Sequence, residues 1–288
     1  MNIGIIGLGL IGGSFGRAVI KETPHTVYGR DLTRETVLRA SLTAAVHKPL
    51  TDAEFGLLDV LIIALAPTAF ITELADAAPK LKAGALVIDV AGVKRPVVEA
   101  MKKTAEQFPA LEFIAAHPMA GREHSGLSAA SASLFKKASV LVTPVRAGLK
   151  TVSMLKELFL ALGFDYFRVT TAEEHDEMIA YTSQLPHILS SCYVKNPLAP
   201  RHDGFSAGSF LDLTRVARMN SALWTELFFM NKDNVLSAVA DFSANLKLIG
   251  DALKNDDAPA LARLLEDGNL KKEAIDKASR NWKKENKE

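Results

Sequence analysis

Seven short apolar runs punctuate the first part of the chain, at positions 3–6, 26–28, 60–65, 85–90, 113–116, 139–143 and 166–169. Their length and their content of β-branched and aromatic residues predict strands, and the stretches between most of them have helical composition. Strand alternating with helix predicts an α/β fold built on a mainly parallel, doubly wound sheet with helices on both faces. After Val169 the strand signals stop and the sequence reads as helices, which divides the chain into residues 1–169 and an all-helical segment 170–288. The clearest helix is predicted between Asn220 and Lys254, where Val239, Phe242, Leu246, Ile249 and Leu253 recur at spacings of three and four. That seam can face its own domain's core or a second subunit. Residues 196–208, with Pro197, Pro200, Gly204 and Gly208, predict a loop, and the lysine- and glutamate-rich tail after Lys271 predicts a solvated helix end.

Composition narrows the partners. With 288 residues, 48% of them hydrophobic, the chain can bury two modest domains. Lysine and arginine number 34 against 33 acidic residues, so no strong field points to nucleic acid or to an anionic membrane, and a small molecule is the expected partner. The longest compact apolar run, 60–67, is too short to span a bilayer. The N-terminus lacks a basic leader and is broken by glycines, which fits a strand and turn better than a signal peptide. Cys192 is the single cysteine and lies in an apolar stretch. It is expected to be a buried, inert thiol in a reducing compartment, and the protein to be cytoplasmic.

Candidate chemistry begins at the N-terminus. In MNIGIIGLGLIGGSFGRAVI, Gly7, Gly9 and Gly12 form a G-x-G-x-x-G pattern, with Leu10 and Ile11 between the last two, directly after a predicted strand and before a helix expected to start near Ser14. Such glycines permit a tight turn and a close approach of backbone to a pyrophosphate, whose charge is met by N–H groups at the helix N-terminus. The context predicts a Rossmann-like dinucleotide site. Asp31 lies nineteen residues past Gly12, near the spacing at which a carboxylate accepts hydrogen bonds from a ribose diol and repels a 2′-phosphate. NAD is therefore the expected cofactor, with Arg30 and Arg34 keeping NADP in play.

A second candidate is AAHPMAGREHSG. Pro118 disfavours the helical region for the residue before it, so His117 should leave its strand extended, at the carboxyl edge of the sheet where ligands bind. A neutral imidazole there can accept a proton from an alcohol whose carbon loses hydride. The alternative is a strand-end histidine satisfied by its neighbours. Farther on, TSQLPHILS carries Ser183 and His187, and SFLDLTRVARMN carries Asp212 and Arg215.

Taken together, GLGLIGGS, HPMAG, S-x-LPH and DLTR-x-A resemble, in order and approximate spacing, the prephenate and arogenate dehydrogenases of tyrosine biosynthesis, in a form without a regulatory domain. The resemblance implies an NAD(P)-dependent oxidative decarboxylation of a cyclohexadienol, with no metal. It implies that His117 takes the proton of the ring hydroxyl, that Arg215 anchors a substrate carboxylate, and that Ser183 and His187 lie near the substrate and the nicotinamide. It also implies a homodimer built by the C-terminal helices. Three positions depart from the family pattern. Gly92 in DVAGVK stands where a serine usually assists the histidine, Gln184 where histidine is common, and Leu211 where a basic residue often precedes the aspartate. Prephenate with NAD is the expected pair, and arogenate is the nearest alternative. A 3-hydroxy acid dehydrogenase, or a dinucleotide-binding protein that has lost its chemistry, are more distant ones. The roles of Arg122, Glu123 and His124 stay open between gating and simple solvation.

Overall fold

The computed structural model describes residues 1–122 and 124–285, and Glu123 lies outside them. Among the described residues, β1 (Asn2–Ile6), β2 (Thr26–Arg30), β3 (Lys48–Pro49), β4 (Val60–Ile63), β5 (Leu86–Asp89), β6 (Glu112–Pro118), β7 (Ser139–Arg146) and β8 (Tyr166–Val169) form one sheet. Their order is β3-β2-β1-β4-β5-β6-β7-β8, parallel throughout except where β6 meets β7. This is the doubly wound arrangement, and the chain reverses direction across the sheet at β1, between β2 and β4. In such sheets the crevice beyond the carboxyl end of that strand is where ligands bind.

Packing on both faces accounts for the continuous apolar strands. All four residues of β4 are buried, as expected where helices cover a parallel sheet on both sides. Ile3, Ile5, Val60 and Ile62 join Phe15 and Phe159 in one core, while Ile6, Leu61 and Ile63 join Phe70, Met101 and Phe113 in the other. The helices concerned are α1 (Leu10–Glu22), α2 (Arg34–Leu42), α3 (Pro67–Ala77), α4 (Arg95–Gln107) and α5 (Leu149–Ala161). From Ala172 on, the elements are helical: α6 (Ala172–Ile179), α7 (Leu185–Tyr193), α8 (Gly208–Thr214), α9 (Ser221–Met230), α10 (Lys232–Lys254) and α11 (Ala258–Glu285). A π-helical turn, Ala180–Gln184, joins α6 to α7, a widening that recurs at functional sites.

Several expectations are corrected. Helix α1 begins at Leu10 rather than near Ser14, because Gly12 and Gly13 sit inside its first turns, where side chains would collide with neighbours. The helix expected between Asn220 and Lys254 is α10, which carries the whole seam from Val239 to Leu253, and a separate helix, α9, precedes it, set off at Asn231, whose φ of −121° and ψ of 29° leave the helical region. Cys192 is exposed rather than buried, since α7 turns Leu185 and Ser190 inward and leaves other positions open. Strand β3, only two residues long, carries no apolar run to announce it. The seam on α10 lies open in the single chain, with Phe242, Leu246 and Leu253 exposed. No helix among the described residues is long and apolar enough to cross a membrane.

Candidate active site

The turn between β1 and α1 shows why each glycine is needed. Gly7 has a φ of +87°, in the left-handed region that glycine enters without strain, and its N–H donates to the Arg30 carbonyl at 2.9 Å. A Cβ on Gly12 would stand 1.9 Å from the Gly7 carbonyl oxygen, so only glycine lets the helix start this close to the strand. Gly9, by contrast, would meet no protein atom within 4 Å. The space above it belongs to a cavity of about 1290 Å³ that Gly9, Leu10 and Ile11 help to line. Open room over the second glycine, next to the unpaired N–H groups of a helix N-terminus, suits the pyrophosphate of a dinucleotide.

Asp31 follows β2 directly. Its carboxylate accepts from the Leu8 N–H at 2.8 Å and so closes over the glycine turn, but it does not line the main cavity. Arg30 points elsewhere: its guanidinium approaches Asp52 at 3.4 Å and Glu73 at 3.9 Å. The basic side chain adjacent to Asp31 is thereby engaged by two carboxylates.

The same cavity reaches His117. Strand β6 carries this residue opposite Leu141 of β7, with Pro118 ending the strand. Ala64 to Pro67 beyond β4, Val90 to Gly92 beyond β5, and Met119 to Arg122 beyond β6 complete the wall on the side of the sheet. Ser183, His187 and Arg215 close it from the helical segment, so the sequence-predicted residues converge there, with Asp31 set beside the turn. His187 donates through Nδ1 to the Ser183 carbonyl at 2.8 Å, and its ring stacks on Trp224 with centroids 3.8 Å apart. Burial first, and then the nearby charge of Arg215, lower the pKa of His187, opposed by the bond to Ser183. Arg122 and His124 are exposed on the cavity rim. The question of Glu123 lies outside the described residues.

Behind His117 the structure holds groups that sequence reasoning missed. Nδ1 of His117 is 2.9 Å from Nε2 of His175, and Nδ1 of His175 is 2.8 Å from Oδ1 of Asp176. Both His175 and Asp176 lie on α6 and are buried. The Asp176 carboxylate also accepts from the backbone N–H groups of Lys94 at 2.7 Å and Arg95 at 2.9 Å, and from Arg95 Nε at 3.3 Å. Burial pushes the pKa of Asp176 up, but these hydrogen bonds outweigh it and the net direction is down, so the carboxylate is ionised.

Beside it sits a buried ion pair, Lys94 Nζ to Asp89 Oδ2 at 2.6 Å. Burial pushes the Asp89 pKa up and the Lys94 pKa down. The close contact, the Ala91 carbonyl accepting from Lys94 at 2.8 Å and the Ala91 N–H donating to Asp89 at 2.6 Å all favour the ionised form. For His117, burial is the largest influence, followed by His175 and by the Lys94 charge, and all three hold its pKa well below the ordinary value. The ring is therefore neutral at physiological pH, as a proton acceptor must be.

The departures from the family pattern have structural counterparts. A Cβ on Gly92 would lie 3.3 Å from the Leu227 side chain, so α9 packs against the place a serine side chain would start from. Gln184 is buried. Its Nε2 donates to the Leu227 carbonyl at 3.2 Å, and its Oε1 accepts from Asn231 Nδ2 at 2.7 Å. Leu211 is 60% exposed and touches none of this machinery.

Comparison with known proteins places these features in context. Residues 15–166 match the family model described as prephenate dehydrogenase, nucleotide-binding domain, and residues 171–267 match prephenate dehydrogenase, dimerization domain. The chain is 31% identical over 283 residues to a prephenate dehydrogenase of Lactococcus lactis subsp. cremoris, covering 94% of this chain and 77% of the relative. It is 30% identical over 276 residues to a cyclohexadienyl dehydrogenase of Zymomonas mobilis subsp. mobilis, covering 90% and 91%. The crystal structure of prephenate dehydrogenase from A. aeolicus in complex with hydroxyphenyl propionate and NAD+ shares the fold, with a TM-score of 0.83 at 24% identity over 96% of this chain and 98% of that one.

Proposed function

The chain belongs to the prephenate dehydrogenase family, and from that premise we propose that it catalyses the NAD-dependent oxidative decarboxylation of prephenate to 4-hydroxyphenylpyruvate. One observation carries the reading: a single cavity brings His117 together with the glycine turn on one side and with Ser183, His187 and Arg215 on the other. Bound NAD supplies the acceptor for the hydride that leaves ring carbon C4. Carbon dioxide departs from C1 and the ring becomes aromatic, which supplies the driving force without a metal. His117 takes the proton of the C4 hydroxyl and returns it to the phenol oxygen of the product, so no net proton is released. Arg215 holds a substrate carboxylate, a role suited to a planar guanidinium that can bond both oxygens.

For the cofactor, Gly7, Gly9, Leu10, Ile11 and Gly12 cradle the pyrophosphate at the start of α1, and Asp31 takes the ribose diol. Engagement of Arg30 by Asp52 and Glu73 supports NAD over NADP. Residues 1–169 then form the dinucleotide-binding domain and residues 170–288 the substrate-binding and dimerisation domain. The open seam of α10, with Leu265, Leu270 and Ile275 exposed on α11, supports a homodimer formed through these helices. The lone cysteine fits a cytoplasmic location.

The test is turnover of purified protein on prephenate and on arogenate, each with NAD and with NADP, followed by absorbance of the reduced nicotinamide. Prephenate with NAD is expected to be the best pair. Failure of both substrates to exceed a His117→Asn control refutes the reading. Arg215→Ala should mainly raise KM, by about 2 to 4 kcal/mol for a desolvated charge pair, or about 30- to 1000-fold. An unchanged KM removes Arg215 from the site.

A further inference from the structure

We propose that His175 and Asp176 act as positioning residues behind His117, fixing its tautomer so that Nε2 is the proton acceptor and stabilising the imidazolium that forms when the proton arrives. The inference rests on the dehydrogenase reading for the reaction, but its geometry stands apart from any substrate.

Hydrogen-bond direction settles the tautomers in sequence. An ionised carboxylate only accepts, so the 2.8 Å contact between Asp176 Oδ1 and His175 Nδ1 requires a proton on His175 Nδ1. A neutral His175 then has a bare Nε2, which accepts. The 2.9 Å contact to His117 Nδ1 accordingly requires the proton on His117 Nδ1. What is left is an unprotonated Nε2 on His117, a residue that lines the cavity. Each link is buried or half-buried, so water competes little for these bonds. Were Asp176 absent, either tautomer of His175 would be open, and His117 could turn its lone pair away from the substrate.

When His117 gains the hydroxyl proton, its Nδ1–H bond to His175 strengthens and the charge is spread toward Asp176, which stays ionised throughout. The proton on His117 Nε2 later passes to the phenol oxygen, restoring the starting state. Charged and titratable groups facing this chain come from several elements. Asp89 flanks it from the end of β5 and Lys94 from the loop before α4, Arg95 caps Asp176 from α4, and His187 and Arg215 face the cavity from the helical side. Lys94 opposes protonation of both histidines, and among the described residues Asp176 is the carboxylate bonded to His175. Gly92, on the same wall, has no side chain to share the work.

Ring-nitrogen ¹⁵N NMR on the unmutated protein, with His117 assigned by its loss in His117→Asn, reads the tautomer without substrate or cofactor. The expected result is Nδ1–H with a bare Nε2, and an Nε2–H tautomer or a mixture overturns the proposal. In steady-state assays His175→Phe should lower kcat about 100-fold, the range of a misdirected general base. KM for prephenate and affinity for NADH should stay within about twofold. His175→Gln, whose amide oxygen can accept from His117 Nδ1, should recover part of the loss and keep His117 in the Nδ1–H form. Unchanged kcat in a folded His175→Phe protein overturns the proposal, and if that variant does not fold, the tautomer of the unmutated protein decides. Absence of turnover in the unmutated protein refutes the dehydrogenase reading and leaves the tautomer result to judge the relay.

Discussion

Asn231→Ala tests how the helical segment is fastened to the sheet. Asn231 is fully buried at the break between α9 and α10, and its side chain makes four hydrogen bonds. Nδ2 donates to the Asp176 carbonyl and to Gln184 Oε1, both at 2.7 Å. Oδ1 accepts from an Arg95 guanidinium nitrogen at 2.9 Å and from Asn234 Nδ2 at 2.8 Å. The two donors keep other options: Arg95 still has Asp233 and Asp176, and Asn234 is only half-buried. Of the two acceptors, Gln184 Oε1 is enclosed and would be stranded, whereas the Asp176 carbonyl keeps the Ala180 N–H and loses one bond. At about 1 to 3 kcal/mol for the stranded oxygen and about 0.5 to 1.5 kcal/mol for the lost bond to Asp176, the loss is about 1.5 to 4.5 kcal/mol. Alanine is the better helix former by at most about 0.7 kcal/mol, so propensity cannot offset it. At about 2 °C for each kcal/mol in a chain of this size, Tm should fall by about 3 to 9 °C in a thermal melt. Asn245→Ala is the control, because Asn245 bonds only the Asp241 carbonyl on an exposed stretch of α10, and it should stay within about 0.5 kcal/mol. A fall of less than about 2 °C for Asn231→Ala would mean that these bonds do not hold the junction.

Two other outcomes follow from the site. On the proposed reading neutral His117 is the base, and its pKa is held down, so kcat/KM should be flat around neutrality and fall only as pH drops well below about 6.5. Lys94→Met removes a positive neighbour and should move that limb to higher pH. A limb already at or above 6.5 in the unmutated protein, or one that does not move in the variant, contradicts the electrostatics. Gly9→Ala should leave the melt unchanged, because no protein atom lies within 4 Å of the added methyl, while fluorescence titration shows NADH binding weakened about tenfold or more, or 1.4 kcal/mol. Gly12→Ala, 1.9 Å from a carbonyl oxygen, should lower stability as well as binding. Equal melts for the two variants would refute the distinct roles of the two glycines.

Much of the sheet was readable because parallel strands buried on both faces are written as continuous apolar runs, and the glycine turn was readable because its spacing has a steric cause. The limits have physical causes too. Leu223 and Leu227 before Asn231 and Val235 and Val239 after it keep one four-residue spacing, so the apolar pattern does not mark the break, where Asn231 makes tertiary hydrogen bonds to residues far away in the chain. Gly12 and Gly13 read as helix breakers, although α1 needs Gly12 to start against Gly7 and Gly13 to pack against Leu127 and Ala130. His117 stood out by its place before Pro118, whereas the segment T-A-E-E-H-D around His175 reads as a solvated first turn, capped by Thr171 accepting from the Glu174 N–H. Only the ordering of β5 beside β6, with α6 laid across their ends, brings that turn to His117. The pairing of a strand-end histidine with a second H-D step after the last strand is the signal that could have found it.

Gly92 and Asp176 together explain why support for His117, the proposed base, comes from α6. Leu227 lies 3.3 Å from where a side chain on Gly92 would begin, and its carbonyl accepts from Gln184. Helix α9 is thus seated directly on the loop that follows β5, and the glycine makes room for it. His117 is served instead by a residue pair that is itself tied to the same junction. Asp176 accepts from two backbone N–H groups at the start of α4, while its own carbonyl accepts from Asn231. One aspartate therefore orients His175 and latches the helical segment to the sheet. Because Ser183, His187 and Arg215 come from one segment and His117 and the glycine turn from the other, any slip between the two would separate base from substrate by the same distance. Placing the support for His117 on the latch makes the tautomer of the base depend on the segments being docked, so the proton acceptor is correctly aimed only when the substrate-binding wall is also in place.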